Sequence, residues 1–316
     1  YIGDDLDGIS LEVIRSDAGN DELGIHEDVL VIGKTVKELD ETYTNYRFAI
    51  YPGDFTIKSN DSLSVSASDV KKVYDGNGYG VEPVSVPSGA TITYRDADGK
   101  YTLTESPTRT NVGTTKVEFR ASLYGYDAAY GSADVTITAK EVSITAADAG
   151  KVYGEADPSF ADAVISEYVG SELSGIDLSV SRSDAGDDGL GTHEGVLNIG
   201  KTAAELDAEY TNYRFTVVAA DFTITQNESG LSVDAADVIK TYDGNSYGVE
   251  PLSVPSGATI TYKDAEGNYT LAESPVRRDV GTTKVEFKAS LYGYGDAYGS
   301  ADVTITAKEV SITAAD

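Results

Sequence analysis

The chain of 316 residues contains no cysteine, no methionine and no tryptophan, and only two histidines, His26 and His193. Without cysteine there are no disulfides, no thiolate zinc sites and no thiol nucleophile. Two isolated histidines leave no cluster for a metal or a proton relay. Basic residues are scarce, 24 against 53 acidic ones, for a net charge of -29 spread along the whole sequence. Such a polyanion is repelled by nucleic acid and by anionic membrane surfaces, so neither is expected as a partner. No apolar run reaches membrane-spanning length, which excludes membrane insertion by this segment. There is no initiator methionine, signal peptide, anchor or sorting tail, and the chain is expected to be an internal piece of something longer. The 40% of hydrophobic residues suffice for ordinary cores and, with the length, suggest about two or three average domains.

What the sequence does have is a repeat. Residues 1–60 recur as residues 168–227, with Arg-Ser-Asp-Ala-Gly starting at Arg15 and again at Arg182. After an added residue near Gly230 the match continues, pairing Tyr74-Asp75-Gly76-Asn77 with Tyr242-Asp243-Gly244-Asn245. One long unit is read almost twice, and the first reading lacks the stretch equivalent to 149–167. Each unit has two dissimilar halves of roughly domain size, here named A and B. The expected organisation is a truncated A over 1–59, a B over 60–140, a complete A over 141–226, a B over 227–308, and the first strand of a further A over 309–316.

Alternation of apolar and polar residues dominates, as in Val135-Thr136-Ile137-Thr138, Val117-Glu118-Phe119 and Val142-Ser143-Ile144, and predicts half-buried strands. Turn residues punctuate them: Asp96-Ala97-Asp98-Gly99, Asp264-Ala265-Glu266-Gly267, Pro87-Ser88-Gly89 and Pro255-Ser256-Gly257. The fold class read from this pattern is all-β: tandem Ig-like β-sandwich modules in an elongated array. Thr35-x-x-Glu38 before Leu39, and Thr202-x-x-Glu205 before Leu206, have capping-box spacing and predict one short helix in each A module.

In module A, Lys151-Val152-Tyr153-Gly154, then Asp157-Pro158, Phe160, Leu178-Ser179, Arg182, Gly191-Thr192, Asn212-Tyr213 and Phe222-Thr223-Ile224 resemble the YGX-type MBG repeat of bacterial surface adhesins. Module B, with Lys240-Thr241-Tyr242-Asp243-Gly244, Gly281-Thr282 and Val303-Thr304-Ile305, resembles the Tyr-Asp-Gly Ig-like repeats that accompany it in Gram-positive surface proteins. The resemblance implies an extracellular stalk or adhesin on a bacterial cell surface or cell wall, with adhesion to mucin or other glycans. His193 stands where the family more usually carries an aromatic residue, so no ligand contact is carried over to that position.

Several residues invite a functional reading. In the Lys-x-Tyr-Gly and Tyr-Asp-Gly motifs, glycine supplies a positive φ and tyrosine packs its ring, which makes them structural. Tyrosine is abundant, 22 residues, and gathers in Leu123-Tyr124-Gly125-Tyr126 and Leu291-Tyr292-Gly293-Tyr294. Exposed rings there could stack on sugars, which makes Tyr124, Tyr126, Tyr292 and Tyr294 candidates for glycan contact, against packing as the alternative. Asp17, Asp21, Asp184, Asp187 and Asp188 sit in loops and are candidates for calcium, although none follows EF-hand spacing. A solvated acidic surface is the competing reading, so no cofactor is expected and calcium stays open. Small sandwiches without a cleft do not suit glycosidase chemistry, and no enzyme activity is expected. Lys116 beside Asn111, and Lys284 beside Asp279, are inspected for an isopeptide bond, but alternation points both lysines to the polar face.

The function expected is therefore a non-enzymatic stalk or spacer in a surface adhesin. Two alternatives remain: multivalent binding of host or community surface glycans or proteins, and self-assembly into filaments by β-strand addition, with neighbouring repeats of the same chain as the default partners.

Overall fold

A computed structural model describes residues 1–313. It divides into two compact units, Tyr1–Lys140 and Glu141–Asp316. The architecture is all-β with two short helices among the described residues, and none of those helices is long and apolar enough to cross a membrane.

In the second unit, module A is a two-sheet sandwich. One sheet orders Val164–Ile165, Lys140–Thr145 and Tyr213–Val218; the other orders Ala149–Val152, Ala220–Thr225, Gly191–Ile199 and Val180–Arg182. Ala149–Val152 runs parallel to Ala220–Thr225, while the latter's other neighbour is antiparallel. The alternation in Ala220–Thr225 turns Ala220, Phe222 and Ile224 inward, where they meet Leu197. Ala146, Ala149, Tyr153 and Phe160, all from the opening segment, close that core. Burying a side chain such as Phe222 contributes about 1.5–3 kcal/mol.

The helix Ala203–Glu209 is too short to persist by itself. Its start is fixed by Thr202, whose hydroxyl accepts from the Glu205 amide while the Glu205 carboxylate accepts from the Thr202 amide. Leu206, fully buried, pins it to the sandwich. Val36–Thr42 repeats the capping box with Thr35 and Glu38.

Module B has a five-stranded sheet ordered Val238–Thr241, Ala297–Thr306, Gly281–Ser290, Thr259–Lys263 and Tyr269–Leu271, faced by the pair Ser232–Asp234 and Leu252–Val254. Its first sheet strand again pairs in parallel, Val238 opposite Val303. Val285, Phe287, Val303, Ala301, Tyr262 and Val249 form the core. The B of the first unit repeats this arrangement with Val70–Val73, Ala129–Thr138, Gly113–Ser122, Thr91–Arg95 and Tyr101–Leu103.

The A portion of the first unit has one sheet only, Val13–Arg15, Gly24–Ile32 and Gly53–Ile57. Residues 46–51, the counterpart of Tyr213–Val218, form no strand. The strand that Tyr213–Val218 pairs with is Lys140–Thr145, and no equivalent stretch lies in 1–59, so the extended backbone there has no ladder to join. Phe48 and Phe55 are half-exposed where their counterparts Phe215 and Phe222 are buried.

The strand expected over 309–316 is not formed over 309–313, and 314–316 lie outside the described residues. The identical sequence Lys140–Thr145 becomes a strand between two partners; residues 308–313 have neither among the described residues, and Val310 and Ile312 stay exposed.

Candidate functional site

The Lys-x-Tyr-Gly turn of module A lies against the Leu-Tyr-Gly-Tyr turn of module B within the second unit. Ala149–Val152 is held in register by Ala220–Thr225, Lys151 opposite Ile224, and the Tyr153 amide donates to the Thr225 carbonyl at 2.8 Å. The chain then reverses at Gly154, where φ is +84°. This delivers the Tyr153 ring between Tyr292 and Tyr294, at centroid distances of 5.6 and 5.5 Å and interplanar angles of 87° and 85°. Edge-to-face pairs of this kind contribute about 0.5–1.5 kcal/mol each. Gly293, at φ +85°, lies directly beneath the ring: a Cβ there would sit 2.2 Å from Tyr153 Cδ1.

Backbone and amide groups tie the same joint. Asn227 donates its amide to the Gly293 carbonyl at 2.9 Å and its side chain to the Tyr153 carbonyl at 3.2 Å. Gln226 Nε2 donates to the Tyr294 carbonyl at 2.7 Å. Tyr292 turns its hydroxyl to accept from the Leu190 amide at 3.1 Å, so the loop 183–190 of module A is fastened to module B as well.

That loop carries a charged cluster around two cations. Lys151 contacts Asp157 at 2.8 Å and Asp188 at 2.6 Å. Arg182, its side chain only 1% exposed, contacts Asp184 at 2.7 Å and Asp157 at 3.3 Å and stacks over Phe222 at 4.4 Å. Buried cations need such partners, since an unpaired charge would be strongly destabilising. The pairing with Lys151 holds the Asp157 carboxyl below the usual carboxylate range, and Arg182 does the same for Asp184. His193 presents Nε2 to the Gly189 carbonyl at 2.8 Å and Nδ1 to Asp184 at 2.6 Å. With an acceptor at each nitrogen the ring favours the doubly protonated form, and its pKa is raised, by the Gly189 carbonyl foremost, against partial desolvation.

The calcium candidates of the second unit thus converge, but on cations of the chain itself. Asp184, Asp187 and His193 place one ligand atom each within 4.8 Å of one another. Asp184 and Asp188 are committed to Arg182 and Lys151, Asp187 accepts the Gly189 amide, and the imidazole has no lone pair facing the cluster. In the first unit Arg15 contacts Asp17 at 2.7 Å and stacks over Phe55 at 4.5 Å. Asp21 is 3.9 Å from Arg15 and 86% exposed, because residues 1–140 hold no counterpart of Lys151.

Of the glycan candidates, Tyr292 and Tyr294 are brought together around Tyr153, whereas Tyr124, 74% exposed, and Tyr126 have no such tyrosine between them in the first unit. Tyr130 packs on Tyr101 and Tyr298 on Tyr269, each at 5.3 Å. The Tyr-Asp-Gly turns are closed locally: Asp75 accepts from the Asn77 amide and the Tyr79 hydroxyl, and Asp243 from Asn245 and Tyr247. Lys116 and Lys284 are exposed, unsuited to a buried isopeptide bond. Sequence reasoning missed the meeting of the two tyrosine-glycine motifs and the burial of Arg182. The available signal was the presence of Tyr-Gly in both halves of the repeat.

Residues 142–223 match the model of the MBG domain (YGX type). No curated protein matches the chain. Similar solved structures include a 1.5-MDa bacterial ice-binding adhesin, at 11% identity over 78% of this chain and 99% of that one, with a TM-score of 0.30. The human desmocollin-1 ectodomain is 12% identical over 83% of this chain and 65% of that one, just under two thirds, with a TM-score of 0.28. The PKD domain of human KIAA0319 is 16% identical over 29% of this chain and 92% of that one, with a TM-score of 0.22. The family match runs from the first strand of the complete module A, through the Tyr153 turn and the Arg182 cluster, into its last: residues 142–223 belong to the MBG domain family, YGX type.

Proposed function

We propose that the chain is a non-enzymatic repeat region of a bacterial surface adhesin, working outside the cell as a stalk or spacer. The observation that carries this reading is the Tyr153–Tyr292–Tyr294 joint. The two most conspicuous motifs of the repeat are turned toward each other, which is what successive modules need in order to transmit load, and each module otherwise stands on its own core. The carboxylates and cations that sequence alone offers for chemistry pair with one another in module A, and on this reading the region has neither active site nor obligatory cofactor. Attachment is to the cell wall, in line with the resemblance to Gram-positive surface repeats.

A second reading is favoured by one observation. Tyr124 is 74% exposed, and Tyr292 remains 64% exposed while contributing its edge to Tyr153, leaving ring surface on which a sugar can stack, weakly and many times over. Two measurements test the proposal. Antibody against the chain should label intact cells, and a glycan array probed with the chain should stay silent. Absence from the cell surface would remove the adhesin reading, and glycan binding lost on Tyr124→Ala and Tyr292→Ala would replace the spacer by the second reading.

A further inference from the structure

The first unit presents three surfaces that the second unit has covered. The edge of Gly53–Ile57 has a neighbour on one side only, Gly24–Ile32; its counterpart Ala220–Thr225 is flanked on the other side by Ala149–Val152. Asp21 is 86% exposed, while its counterpart Asp188, 53% exposed, holds Lys151 at 2.6 Å. Tyr124-Gly125-Tyr126 has the sequence and backbone of Tyr292-Gly293-Tyr294: Gly125 and Gly293 share φ +85°, and Asn60 bonds the Gly125 carbonyl at 2.8 Å as Asn227 bonds that of Gly293 at 2.9 Å. Yet a Cβ on Gly125 would meet nothing within 4 Å, where one on Gly293 would strike the Tyr153 ring.

A single segment covers all three surfaces in the second unit, residues 141–167. Its strand takes the edge, Lys151 takes Asp188, Asp157 takes Arg182, and Tyr153 fills the tyrosine cradle. We infer that the first unit is a receptor for an opening segment of module A type, of the pattern Lys-x-Tyr-Gly-x-x-Asp-Pro-x-Phe, supplied by a further repeat. The segment lies parallel to residues 55–58, brings its lysine to Asp21 and its aspartate to Arg15, and seats its tyrosine on Gly125 between Tyr124 and Tyr126. The same segment provides the strand that residues 46–51 lack, so occupation also orders the second sheet of this sandwich. The inference concerns how repeats join and holds whether or not the region is displayed on a cell surface.

The test adds a peptide of residues 141–167 to the full chain. Saturable binding of one peptide per chain is expected, weakened at least tenfold by Tyr153→Ala in the peptide. A second arm fuses residues 141–167 directly ahead of Tyr1, reproducing the Glu167-Tyr168 junction, because Tyr1 corresponds to Tyr168. In the fused chain, amide exchange across 46–51 and 55–58 should slow at least tenfold, and Gly125→Ala should prevent that slowing. If the free peptide does not saturate, the fused chain decides. Amides that stay unprotected in the fused chain overturn the inference, and so does peptide binding indifferent to Tyr153→Ala.

Discussion

The two glycines of the tyrosine turns provide a matched experiment. Gly125 and Gly293 have the same φ of +85° and the same flanking residues, Leu-Tyr before and Tyr after. Alanine at either position meets the same backbone strain, about 1–2 kcal/mol for an ordinary residue in the left-handed region. At Gly125 that is the whole cost, since nothing lies within 4 Å of the new Cβ. At Gly293 the methyl would lie 2.2 Å from Tyr153 Cδ1 and 2.3 Å from Cε1, so the ring must leave its seat between Tyr292 and Tyr294. Overpacking adds about 1–3 kcal/mol. Gly293→Ala should therefore destabilise its unit by about 2–5 kcal/mol and Gly125→Ala by only about 1–2 kcal/mol. Amide hydrogen exchange resolved by unit reads both in the full chain, and the amides of Leu190, Asn227 and Tyr153 should be the first to lose protection. Equal costs at the two positions would refute the claim that Tyr153 is seated on Gly293.

Arg182→Ala should cost about 3–5 kcal/mol, because it leaves Asp157 and Asp184 facing each other without the guanidinium; Arg15→Ala, at a more open site with fewer partners, should cost less, and denaturant melts of the two variants compare them. Asp157 and Asp184 titrate below their ordinary range in the fold, so their contribution is present above about pH 3.9 and is lost as pH falls through the lower folded values. His193 has the opposite sign: its pKa is raised, its contribution is full below about pH 6.5, and it fades as pH rises through the folded value. Midpoints of unfolding measured from about pH 3 to pH 9 should show both arms, and His193→Gln should remove only the alkaline one. Calcium should leave the melting temperature of the wild-type chain unchanged, since Asp184 and Asp188 already serve Arg182 and Lys151; a stabilisation that follows calcium concentration would make the loop 183–190 a metal site.

Much of the fold was legible because it rests on local pattern. Alternation placed Val117, Phe119 and Phe222 inward, and the capping boxes placed both helices, since each signal lies within a few residues. Repeat arithmetic separated A from B in the same way. What local pattern could not give is pairing across distance. Tyr153 and Tyr292 are neighbours in space through a loop-to-loop contact that leaves no periodic trace, so the exposed-looking composition of the tyrosine turns suggested sugars. Asp184 and Asp188 looked like a free acidic loop for the same reason: Lys151, which neutralises Asp188, is far away in sequence and arrives only when Ala149–Val152 pairs with Ala220–Thr225. The strand expected over 309–316 failed on the opposite count, since its sequence is identical to a real strand and only the partners differ.

A double-mutant cycle between Tyr153 and Tyr294 tests most directly the claim that the tyrosine-glycine motifs join module A to module B. Each tyrosine is replaced by alanine alone and then together, and the stability of the second unit is measured in the full chain. An edge-to-face pair at 5.5 Å and 85° should give a coupling of about 0.5–1.5 kcal/mol. Strict additivity would contradict the joint.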